Sequence, residues 1–88
     1  MINGRKQNMI DRIDFIEKIT YLFDETDPSE ITIDTEFKNL DEWSSLVAMG
    51  LVATITDEYN VSVTVSEIQK LVTFEDVAKF VDEKTQSV

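Results

Sequence analysis

The chain has 88 residues, 42% of them hydrophobic, with 18 Asp and Glu against eight Lys and Arg, a formal net charge of -10. That length sustains one small domain, and that apolar fraction argues for a folded globule. The absence of Cys and His excludes a disulfide framework, a thiolate metal site, a Cys nucleophile and the commonest general base.

Acidity also speaks to partners. Such a surface repels nucleic acid phosphates and anionic lipid, so neither is an expected partner. It attracts basic patches on proteins and speeds their encounter. With only two glycines and one proline, β-turn arrays are not expected and the chain reads as mainly helical. No apolar run approaches a membrane span, and none has the flanks of a secretory signal. A cytoplasmic monomer without membrane contact is expected.

Residues 1–9, opening MINGRKQN, are polar, weakly basic and non-periodic, and read as a flexible N-terminal tail. From Ile10 to Glu25 the spacing is helical. Phe15, Ile19 and Leu22 repeat at i, i+4, i+7, and Ile16, Ile19 and Phe23 form an overlapping row. Asp11 or an earlier polar residue caps the start, and Asp27-Pro28 stops the helix. Residues 26–44 form a long connection. Ile31 and Ile33 alternate with polar residues, which allows a short strand, but no partner strand is evident. They are read instead, with Phe37, Leu40 and Trp43, as pins holding an ordered loop to the core. A loop of this length is uncommon in a compact domain and is often functional.

The second helix is placed from Ser45 to about Tyr59. Residues 46–53 are apolar except for Gly50, so its apolar surface wraps most of the way round and leaves some for a partner. Gly50 costs about 0.5–1 kcal/mol relative to alanine, which a close approach by another chain or helix would justify. Thr64-Val-Ser-Glu67 has the form of a capping box, opening a short helix with Val65, Ile68 and Val72 inward. Thr73-Phe-Glu-Asp76 repeats that form before a last helix that buries Phe74, Val77 and Val81. The domain is placed over residues 10–84, with fraying over residues 85–88. The fold class is all-α: a small four-helix bundle with a long loop between the first and second helices.

Two adjacent serines open the second helix. Ser44 is its natural N-cap, worth about 1 kcal/mol. Ser45, the first helical residue, makes no required contact. Its side chain stands beside the positive end of the helix dipole, where an attached or bound anion, phosphate above all, is favoured.

The helix order, the acidity and the segment FKNLDEWSSLVAMGLVATITDEYNVSVTVSEIQKLVTFEDVAKFV resemble the acyl carrier proteins and related carrier domains over about residues 10–84. In that family the second helix begins with Asp-Ser-Leu, and the serine holds 4′-phosphopantetheine, derived from coenzyme A, through a phosphodiester. The arm's thiol carries acyl or aminoacyl groups as thioesters to enzymes of fatty acid, polyketide or related synthesis. The resemblance implies Ser45 as the attachment residue and Leu46 as the leucine after it. It makes Phe37, Leu40 and Trp43 the loop anchors, and Tyr59 the aromatic that closes the helix.

The implied partners are a phosphopantetheinyl transferase and acyl-transferring or acyl-activating enzymes with basic docking patches. The family's Asp is Ser44 here, which keeps the cap and removes a charge beside the attachment site. No charge falls between Ser45 and Thr56, so docking is expected to rest on Leu46, Val47 and Ala53. Asp41, Glu42 and Ser44 flank that surface at one end, and Asp57 and Glu58 at the other.

Three other functions compete. No tight constellation with an activating base stands out, so the chain is read as a non-catalytic carrier. Asp24, Asp27, Asp34 and Glu36 suggest a calcium loop, but Pro28 is present and the central glycine of an EF-hand is missing. A carrier-like adaptor, binding proteins without any arm, would share the fold and differ by one hydroxyl.

Overall fold

The computed structural model describes residues 9–86, so the remaining tail residues and residues 87–88 lie outside the described residues. It contains α1 (Arg12–Thr20), α2 (Ser45–Tyr59), α3 (Val65–Gln69) and α4 (Phe74–Gln86). Two 3-10 turns, Pro28–Glu30 and Phe37–Asn39, lie in the long loop after α1. The all-α bundle read from the sequence is thus the observed architecture, and α4 stays helical two residues past Lys84.

Asp11 caps α1 by accepting from the backbone N–H groups of Ile13 at 2.9 Å and Asp14 at 3.2 Å. The helix ends at Thr20 and does not continue to Glu25. Beyond it the backbone tightens, Leu22 N–H donating to Ile19 O at 2.8 Å and Phe23 N–H to Thr20 O at 3.1 Å. The apolar spacing that suggested a longer helix survives because this tighter turn still buries Phe23.

The loop has a partner that periodicity could not reveal. Phe74 N–H donates to Thr35 O at 3.2 Å and Glu75 N–H to Ile33 O at 2.8 Å, beside an antiparallel bridge between Glu36 and Thr73. The first N–H groups of a helix lack intrahelical acceptors, and here the loop's carbonyls supply them. Thr73 and Asp76 complete the cap reciprocally, Thr73 N–H to Asp76 Oδ2 at 3.0 Å and Asp76 N–H to Thr73 Oγ1 at 3.2 Å. The start of α4 therefore holds the loop that leads to α2.

Packing secures the same region. Phe37 is fully buried, with its ring centroid 4.8 Å from Trp43 and 5.2 Å from Phe74, which it stacks on. Phe23 meets Phe74 edge-on at 6.2 Å. Such pairs add about 0.5–1.5 kcal/mol beyond burial, so this row ties the end of α1, the loop and α4 together. Leu51 and Ile55 of α2, Ile68 of α3, and Val77 and Val81 of α4 fill the core.

Val72 was expected to face inward with Val65 and Ile68, yet it is exposed. Helix α3 stops at Gln69, so the helical spacing no longer applies, and Leu71 packs against the core instead. Gly50 has a close neighbour, though it is a side chain of the turn after α1 and not another helix or chain: a Cβ there would lie 3.1 Å from Leu22 Cδ2. Helices α1 and α4 are joined by one ionic cluster. Arg12 grips Glu75 through Nε at 3.1 Å and Nη2 at 3.0 Å, and gives Nη1 to Asp82 at 2.9 Å. Asp82, only 5% exposed, also accepts Ile10 N–H at 2.8 Å. No helix among the described residues is long and apolar enough to cross a membrane.

Candidate functional site

The start of α2 is positioned from the loop side. Trp43 N–H donates to Leu40 O at 3.0 Å in a turn, while the indole packs on Phe37. Glu42 Oε1 accepts from Glu25 N–H at 3.0 Å and from the Thr26 hydroxyl at 2.7 Å, which closes the loop onto the segment after α1. Glu42 was placed on the docking surface by sequence, and in the structure its carboxylate fastens the loop.

Ser44 then takes an extended conformation, φ -158° and ψ 172°, and its Oγ accepts from Val47 N–H at 3.2 Å. Its carbonyl accepts from Ala48 N–H at 2.9 Å, the first bond of the helix. The capping role read from sequence is what Ser44 performs here.

Ser45 is exposed, and its hydroxyl makes no hydrogen bond to any described residue. The backbone N–H groups of Ser45 and Leu46 also have no acceptor among the described residues. Charge makes this end unusual within the chain. Helices α1, α3 and α4 each carry an acidic residue in the first turn, and α2 carries none. In a protein with 18 acidic residues, the first turn of its longest described helix holds none. A helix dipole amounts to roughly half a positive charge at that end, and an anion there gains about 0.3–1 kcal/mol when exposed. A phosphodiester on Ser45 Oγ fits this chemistry: a free hydroxyl to bear it, two open N–H donors and a positive field.

Beyond Ser45, the outer face of α2 is apolar. Leu46 is 77% exposed and Met49 58% exposed, and Ala53 follows one turn later, also exposed. These residues stand at i, i+3, i+7 and form one stripe. Met49 belongs to the stripe and escaped the sequence reading, although counting three residues on from Leu46 would have reached it. Val47, named for docking, is half-buried and packs against the core. Asp41 is exposed before the helix, and Asp57 and Glu58 are exposed at its far end. The charge at that end is partly matched, since Lys18 Nζ lies 3.8 Å from Glu58. Tyr59, the last helical residue, packs against Phe15 at 6.0 Å. Its hydroxyl is buried without a described partner, and burial pushes its pKa above the ordinary phenol value.

No group of three or more Asp, Glu, His or Cys side chains converges as a metal site among the described residues. A family model described as a phosphopantetheine attachment site matches residues 14–81, from within α1 to within α4, and its span includes Ser45. No curated protein and no solved structure matches the chain.

Proposed function

Because this chain belongs to the phosphopantetheine-attachment family, whose cofactor is covalently bound 4′-phosphopantetheine, we propose that Ser45 bears the arm and that the protein is an acyl carrier. In this reading it holds acyl or aminoacyl groups as thioesters and presents them to enzymes of fatty acid, polyketide or related synthesis. The observation that carries the choice of residue is the start of α2: an exposed, unbonded hydroxyl at a helix end with no acidic residue in its first turn. Ser44 is the neighbouring alternative, and its oxygen is already committed to Val47 N–H.

The arm supplies a thiol at its far end, where the cargo is held. The chain's own part is to present Ser45 rigidly, through the Trp43–Phe37–Phe74 packing and the Ser44 cap, and to be recognised. No catalysis by the chain itself is involved. A phosphopantetheinyl transferase and the acyl-handling enzymes dock on the stripe of Leu46, Met49 and Ala53. Asp41 and Asp57 offer charge at its two ends to basic residues of those enzymes. The dominant contact is apolar, because α2 carries no charge before Asp57.

Native protein isolated from its source tests the carrier role, by intact mass before and after neutral hydroxylamine, which cleaves thioesters. The expected result is an arm-bearing protein with a further hydroxylamine-labile mass, which is the cargo. A native protein with no arm would leave the adaptor function in its place.

A further inference from the structure

A second surface lies away from Ser45, on the outer side of α1. Ile13 is 75% exposed and Tyr21, just past the helix end, is 84% exposed. With exposed Glu17 between them they form an i, i+4, i+8 ridge about 12 Å long, at 1.5 Å per residue. Three cavities border this ridge and include Glu17; one lies on the α2 side, with Lys18, Thr54 and Glu58, and two lie on the loop side. Of these two, one, of about 370 Å³, has an almost wholly apolar lining that includes Ile13, Ile16, Ile31 and Ile33. The other is lined by Glu17, Thr20, Tyr21 and Pro28. Together they make a trough between α1 and the loop, about two helical turns long.

The unpaired charge around the trough is acidic, since Lys18 beside the ridge is committed to Asp14 and Glu58. Arg12 borders it, but its guanidinium is committed to Glu75 and Asp82. Glu17 stands in the middle, and the loop's exposed Glu30 and Asp34 flank the isoleucines, with no ion pair among the described residues. A second copy of this chain, itself at -10, would be repelled. An apolar groove with an acidic centre fits an amphipathic helix that sets aliphatic side chains one turn apart on either side of a Lys or Arg.

We propose that the trough between α1 and the loop docks an amphipathic, basic helix of a partner protein, aliphatic side chains against Ile13, Ile33 and Tyr21 and a cation against Glu17. This surface is distinct from the α2 stripe and does not depend on the arm. A carrier could thus be held by one contact while the start of α2 is presented to another.

The test uses the full chain and a synthetic amphipathic Leu/Lys helix, with a control peptide of equal charge in which Ser replaces Leu. Amide and methyl shifts are followed by NMR in wild type, in Ile13→Lys/Tyr21→Lys, in Glu17→Gln and in Leu46→Lys. Ile13 and Tyr21 are exposed, so circular dichroism should show their variants folded. The trough predicts saturable binding with shifts centred on Ile13, Glu17, Tyr21 and residues 31–33. Affinity should fall at least about tenfold in the double variant and severalfold in Glu17→Gln, and stay unchanged in Leu46→Lys. Four outcomes overturn the proposal. They are no saturable binding, equal binding of the Ser control, shifts centred on α2, or self-association of the free chain that Ile13→Lys/Tyr21→Lys abolishes.

Discussion

Replacing Arg12 with Met should destabilise the fold by about 2–3 kcal/mol. Breaking a buried ion pair by removing one partner costs roughly 3–5 kcal/mol, because the other charge is left unpaired. Here the full weight falls on one contact only. The Asp82 side chain is 8% exposed and receives Arg12 Nη1 at 2.9 Å, whereas Glu75 is 30% exposed and regains water when released. A domain of this size is stable by roughly 4–13 kcal/mol, at about 0.05–0.15 kcal/mol per residue, so the loss is a large fraction. Each 1 kcal/mol shifts Tm by about 4–8 °C in small domains, so a fall of about 10–20 °C is expected. Thermal and urea unfolding followed by circular dichroism give the number. Adding Asp82→Asn removes the stranded charge and keeps an acceptor for Ile10 N–H, so the double variant should recover more than half of the loss. A single-variant loss under about 1 kcal/mol, or no recovery in the double variant, would refute unpaired charge as the cause.

Acidification should act on the same cluster. Arg12 holds the Glu75 carboxyl below its usual range, and the Thr73 N–H does the same for Asp76. A depressed carboxylate pKa contributes stability that is complete above the unfolded value and lost as pH falls through the folded one. Urea unfolding from pH 6 to 3 should therefore show stability dropping below about pH 4.5, the ordinary glutamate value, with a shallower drop in Glu75→Gln; a flat profile would count against it. Gly50→Ala gains about 0.5–1 kcal/mol of helix propensity, and the Leu22 methyl 3.1 Å away needs to yield by only a few tenths of an ångström. Leu22 is half-buried and that methyl is its tip, so a small net gain in urea unfolding is expected, and a loss above about 1 kcal/mol would show that Leu22 cannot move. Leu46→Lys should keep the fold and slow arm attachment at least about tenfold. The wild-type rate should change less than about threefold as salt rises, since apolar contact is not screened; steep salt dependence with Leu46→Lys unaffected would move recognition to the flanking carboxylates.

What could be read from sequence was local. The Ser44 cap, the extent of α2 and the paired starts at Thr64 and Thr73 depend on residues three or four apart, and the structure has them where the spacing put them. Ser45 as the first residue of α2 followed from the same spacing, while its choice as the arm's bearer came from the family resemblance. The features that escaped join distant segments. The loop's carbonyls at Ile33 and Thr35 serve α4, about 40 residues on, and Arg12 clamps Glu75 and Asp82 across the bundle. Neither leaves a periodic trace. Helix α1 was drawn too long because Phe23 is buried equally well by a tightened turn. Val72 was turned inward because helical spacing was carried past Gln69. Glu42 and Val47 were placed on a docking face by position alone, and their contacts with Glu25, Thr26 and the core, which join distant segments, could not be read that way.

The central claim is that Ser45, and not Ser44, bears the arm. Purified protein incubated with coenzyme A and a broad-specificity phosphopantetheinyl transferase, then weighed intact, addresses it directly, with Ser44→Ala and Ser45→Ala beside it. Ser44→Ala should lose about 1 kcal/mol of stability with its cap and remain folded. The account predicts one added arm in wild type and in Ser44→Ala, and none in folded Ser45→Ala. Modification that persists in Ser45→Ala, or a wild-type chain that no transferase modifies, would contradict it.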